Sequence, residues 1–86
     1  MIRKLTVDDR LEFFAGLGET SAFLKLWKPT ISRLRKKGFN VIEIAPTDRQ
    51  GEFYCEIDWK EPQGIEAQQL LDYTIKTLQS NCKINF

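Results

Sequence analysis

Histidine is absent from the 86 residues. Its absence removes the commonest general base near neutral pH and the commonest metal ligand. Cysteine is nearly absent too. Cys55 and Cys82 are too few for a disulfide scaffold, and no signal-peptide pattern precedes them. No apolar run approaches the roughly 20 residues that a membrane-spanning helix needs. No phosphate-binding glycine motif occurs either. The glycines at 16, 18, 38, 51 and 64 fall where a helix or turn must end. "GLGET" has the composition of a nucleotide loop but lacks the preceding strand and the spacing. These gaps set the first expectations: a reduced, cytoplasmic protein that is not an enzyme. It should carry no membrane segment, no metal, no cofactor and no Cys55–Cys82 disulfide. Each cysteine lies on the apolar side of a predicted strand, as a small buried hydrophobe would.

What is present describes one ordinary globular domain, residues 1–86. Hydrophobic residues make up 42% and charged residues 29%, too apolar for a disordered chain. Phe13, Phe14, Phe23, Trp27, Phe39, Phe53, Trp59 and Phe86 supply the bulk for one core. The net charge of +1 conceals a split. Residues 1–40 hold nine Lys/Arg and four Asp/Glu, whereas residues 41–86 hold four and eight. Such a split marks either an electrostatic docking face or oppositely charged elements lying side by side.

The clearest pattern is "EFYCEIDWK" at residues 52–60. Phe53, Cys55, Ile57 and Trp59 alternate with Glu52, Tyr54, Glu56, Asp58 and Lys60. With "FNVIEIAP" before it and "TDRQG" between, it predicts an antiparallel hairpin at about 39–46 and 52–60, with one buried and one wet face. A first helix over 7–15 follows from Val7, Leu11 and Phe14 on one side. Thr6 caps it, Asp8 and Asp9 occupy its first turn, and Gly16 or Gly18 stops it. A third helix over 65–79 follows from Ala67, Leu71, Ile75 and Leu78.

Between them, Phe23, Trp27, Ile31 and Leu34 recur at four, four and three residues, which predicts a helix over 20–37. Pro29 interrupts that stripe. Either the helix kinks there or a new helix begins with Pro29 in its first turn. The unbroken phase favours one kinked helix. The termini, 1–5 and 82–86, read as short strands. The class is α+β. With both terminal strands the order becomes β-α-β-β-α-β, with an extra helix in the first crossover, which is ferredoxin-like. The alternative is a winged helix, with 29–37 as recognition helix and 39–60 as wing. It leaves little room for a helix-turn-helix turn before Pro29.

The opening "MIRKLTVDD" is similar to the start of many acetyltransferases of the GNAT family, a strand followed by a helix opened by acidic residues. The resemblance spans about ten residues and implies an initial strand. The chain then departs from the family. It has no glycine-rich pyrophosphate loop and is too short for the full fold, so the activity is not carried over.

Two surfaces remain as candidates for function. Glu52, Glu56 and Asp58 line the wet face of one strand. A hard cation bridges such a row in some proteins, but a solvated face is the commoner use and the one favoured here. The stretch "ISRLRKKGFNVIEI" and its upstream neighbours concentrate the cations. On a helix facing the core with its apolar stripe, Lys25, Ser32 and Lys36 point away, flanked by Lys28, Arg33 and Arg35. Lys25, Lys28, Arg33, Arg35 and Lys36 are therefore the candidate partner or nucleic-acid surface. Cations displace condensed counterions from phosphates. They also complement the negative end of a helix with no ligand at all, and a solvated helix face is favoured. The expected function is a non-enzymatic interaction or regulatory module. Its partner is another protein or a second copy. The alternative is a nucleic-acid-binding regulator that uses the basic helix.

Overall fold

A computed structural model describes residues 5–84, and the side chains of residues 5–80. The elements are α1 (Val7–Gly16), β1 (Ser21–Trp27), α2 (Lys28–Lys36), β2 (Asn40–Pro46), β3 (Glu52–Asp58) and α3 (Ile65–Ile84). The three strands form one antiparallel sheet in the order β1-β3-β2, packed against the helices. The α+β class and the central hairpin stand as expected. The strand at 1–5 falls outside the described residues except for Leu5, which is in no strand. Where a closing strand was expected at 82–86, Cys82–Ile84 continue α3, and the last two residues lie outside the description.

The N-terminal helix forms as its sequence dictates. Thr6 Oγ1 accepts from the Asp9 amide at 3.1 Å, and the Asp9 carboxylate accepts from the Thr6 amide at 3.1 Å. This reciprocal cap satisfies two donors that the first turn leaves free. At its other end Gly18 takes a φ of +86°. The amides of Gly18 and Glu19 then close on the carbonyls of Ala15 and Phe14, a Schellman ending.

Residues 20–37 are not one helix. Ser21–Trp27 form β1, and only Lys28–Lys36 are helical. Ala22 and Leu26 are buried while Phe23, Lys25 and Trp27 are exposed, the alternation of a strand. Pro29 sits in the first turn of a new helix, where its missing N–H costs nothing. Of the supposed stripe, only Ile31 and Leu34 are buried. The strand wins because β3 needs a second neighbour to pair its backbone groups. β1 supplies it, with Leu24 opposite Cys55 and Leu26 opposite Phe53.

The core lies between the helices and one face of the sheet. Leu26, Val41, Cys55 and Ile57 from the sheet meet Leu11 and Ala15 of α1, Ile31 and Leu34 of α2, and Ala67 and Leu70 of α3. The expected register of β3 is correct, with Cys55, Ile57 and Trp59 buried, Phe53 half-buried and Tyr54 exposed. On α3 the buried stripe is Ala67, Leu70 and Thr74. Leu71 is half-buried, and Ile75 and Leu78 are exposed. The stripe is displaced because Thr74 is fully buried for its hydroxyl. That hydroxyl accepts from Trp59 Nε1 at 3.0 Å and lies 3.0 Å from the Glu19 carbonyl. No buried side-chain N or O atom among the described residues lacks a partner.

Candidate functional site

All three helices contribute to the core on one face of the sheet, which leaves the other face bare among the described residues. The pairing register shows what that face presents. Phe23 of β1 lies opposite Glu56 of β3, which lies opposite Ile42 of β2. Lys25 lies opposite Tyr54, and Trp27 opposite Glu52. Phe23 is 67% exposed, Ile42 54%, and Trp27 and Tyr54 44% each. Four large apolar side chains on one twisted surface are uncommon in a monomer's wet face, where polar residues normally alternate with the core set.

The charged groups of this face are mostly acidic. Glu52, Glu56 and Asp58 run down β3, the central strand, against Lys25, the single cation of the strands on this face among the described residues. Lys25 Nζ lies 5.5 Å from the Tyr54 ring centroid, within cation–π range. Glu52 accepts from the Thr47 hydroxyl at 2.9 Å, and Asp58 accepts from the Asn40 side-chain amide at 3.3 Å. Glu56 makes no hydrogen bond or ion pair with any described residue.

The five cations singled out in the sequence do not form one surface. Lys25 stands on the open sheet face, whereas α2 buries Ile31 and Leu34 on the opposite side of the sheet. Lys28 sits at the junction, its Nζ 5.6 Å from the Phe53 ring centroid. Arg35 donates from Nη2 to the Val41 carbonyl at 2.9 Å and so ties α2 to β2. Arg33 and Lys36 are exposed and make no contact of this kind with any described residue. Lys37, the neighbouring cation, is paired with Asp8 at 3.3 Å and ties α2 to α1.

Cys55 is free and buried under β3. Burial pushes its thiol pKa up, Glu43 pushes it the same way, and Arg35 opposes both. A thiol held protonated in an apolar layer is a packing group, not a nucleophile. The surface also carries two concavities of about 540 Å³ each. One lies between α1 and α3, where Lys37 and Asp8 neutralise each other. The other is an apolar groove beside Phe13, Phe14 and Leu24. No helix among the described residues is long and apolar enough to cross a membrane.

Sequence reasoning missed Phe23, Trp27 and Ile42 as surface residues. It placed the first two in the core stripe of a helix. A signal was present, though not in alternation: "SAFLKLW" is a short apolar run broken only by Lys25, with Gly18 and Pro29 bounding it. Comparison with models of known protein families, with curated proteins and with solved structures finds no match for this chain.

Proposed function

We propose that this domain is a non-enzymatic protein-interaction module that docks its partner on the open face of the sheet. The observation that carries the reading is the cluster of Phe23, Trp27, Ile42 and Tyr54, exposed on a face that no helix covers among the described residues. Burying such side chains gains about 25 cal/mol per Å² of apolar surface. Aromatic anchors of this kind are the usual centres of protein interfaces. The mutual packing of the helices on the far side leaves this face as the one available for a further layer. β1 and β2 are the sheet edges, so a partner strand could also extend the ladder from either side.

Peptides selected from a random display library against the wild-type protein test this reading. Binding is expected to weaken by at least about tenfold in the double variant Phe23→Ser, Ile42→Ser, the scale set by losing two anchors. Far-UV circular dichroism should be unchanged, because neither side chain supports the core. Binders that keep full affinity for the variant would move the docking surface elsewhere.

The second reading, nucleic-acid binding by α2, rests on one observation: Arg33 and Lys36 are exposed, without partners among the described residues, on a helix that holds no acidic residue. It makes a quantitative claim. Affinity for mixed-sequence duplex DNA or RNA should fall steeply with salt, and removing Arg33 and Lys36 together should lower the slope by about two. A wild-type protein that does not bind duplex at near-physiological salt retires this reading.

A further inference from the structure

We infer that the occupant of the open face is a basic amphipathic segment of another protein, laid along the strands as a helix of about 15 residues. The inference rests on the docking reading above and adds the partner's chemistry. Charge decides it first. Glu52, Glu56 and Asp58 follow the central strand, and Lys25 is the one cation set among them by the strands of the described residues. A second copy docked face to face would bring two acidic rows together, and like charges at an interface disfavour a partner. Phosphates would meet the same row. Lys or Arg side chains flanking an apolar stripe would instead meet Glu56, whose carboxylate has no partner among the described residues.

Shape points the same way. Each strand has seven residues, a span of about 23 Å at roughly 3.3 Å per residue. A helix of about 15 residues at 1.5 Å per residue covers that length. Its apolar positions at i, i+3, i+4 and i+7 would pack over Phe23, Tyr54 and Ile42, with Trp27 at one end. The exposed parts of these four side chains come to about 400 Å², taking about 200 Å² for each when fully exposed. With the flanking charges this reaches the small, transient class of interface rather than the obligate one.

The molecule carries its own reporter. Trp27 is half exposed on the face, whereas Trp59 is fully buried. The probes are two synthetic 15-residue peptides with the same leucine stripe. One has lysine and glutamine on its polar face, the other glutamate and glutamine. The basic peptide is expected to shift the Trp27 emission to the blue, saturably, with an affinity that falls as salt rises. It should bind at least about tenfold more tightly than the acidic peptide. Trp27→Phe should abolish the shift. Glu56→Lys should cut the preference for the basic peptide by about fivefold, and Phe23→Ser should weaken both peptides alike.

Equal binding of the two peptides at Trp27 would overturn the inferred charge class while leaving the docking reading intact. A concentration-dependent dimer in light scattering, lost in Phe23→Ser and unresponsive to either peptide, would overturn it in favour of a second copy. An oligonucleotide that shifts Trp27 would overturn it in favour of nucleic acid. If no peptide, oligonucleotide or second copy engages the face, the inference and the docking reading fail together.

Discussion

Gly38→Ala is expected to cost about 4 kcal/mol or more, enough to unfold much of a domain this small. Gly38 follows α2 with a φ of +96°. There the amides of Gly38 and Phe39 reach back to the carbonyls of Arg35 and Leu34. The conformation alone disfavours a side chain by about 1–2 kcal/mol. The larger cost is contact. A Cβ at residue 38 would fall on the backbone N and Cα of Gly64, and 2.8 Å from the Gln63 carbonyl carbon.

This contact joins two helix ends. The Lys37 carbonyl, at the C-terminal end of α2, accepts from the Ala67 amide in the first turn of α3 at 3.2 Å. The Gln63 amide donates to the Gly38 carbonyl at 2.8 Å. Each helix thereby satisfies an orphan group of the other, and only bare backbone fits between them. Gly51→Ala is the control. Gly51 has a φ of +89°, but its added Cβ would meet only the Trp27 ring, at 3.8 Å. It should show the conformational cost alone. Urea unfolding followed by circular dichroism reads both. If Gly38→Ala costs no more than Gly51→Ala, the helix-end junction is not built as described.

Trp59→Ala is expected to cost about 3–5 kcal/mol. The side chain is completely buried, meets Phe39 edge-to-face with ring centroids 6.3 Å apart, and donates to Thr74. Thr74→Val tests the polar part of the same contact. It keeps the volume and removes the acceptor, leaving Trp59 Nε1 unpaired in the core. About 1–3 kcal/mol should be lost. The hydroxyl also lies within hydrogen-bond distance of the Glu19 carbonyl just before β1 and the Leu70 carbonyl within α3. One residue thus ties α3, the chain after β3 and the approach to β1. The two substitutions should therefore be non-additive in a double-mutant cycle, read from the same urea transitions. Additive losses would mean that the hydroxyl and the indole do not act on each other.

The same two regions show where sequence reasoning failed, for opposite reasons. In α3 a polar residue occupies a core position. Thr74 broke the apolar stripe, and Leu71, Ile75 and Leu78 offered a smoother one that the structure leaves half-buried or exposed. In β1 apolar residues occupy a surface position. A strand that buries Ala22 and Leu26 while leaving Phe23 and Trp27 exposed loses the polar half of its alternation. Phe23 and Trp27 then stand four apart, and with Ile31 they imitate a helical stripe. The misreading follows from the open face itself, because apolar side chains left exposed there erase the pattern that marks the outside.

Where no such demand intervenes, local chemistry was legible. The cap of α1, the glycine endings of α1 and α2 and the register of β3 all follow from residue type, whereas the helix start at Pro29 was the alternative set aside in favour of a kink. The basic residues were legible as a set but not as a surface. Their grouping depended on a helix running through Trp27, and the strand places Lys25 on the face opposite α2.

The most direct test of the open face as docking surface is a methyl spectrum of isoleucine-labelled protein, recorded with and without a selected peptide binder. Ile42 lies exposed on the face, Ile57 is buried beneath it, Ile31 is buried in α2, and Ile75 is exposed on α3. Docking on the face is expected to shift the Ile42 methyl strongly and to leave Ile31 and Ile75 in place. A perturbation centred on Ile75, with Ile42 unmoved, would contradict it.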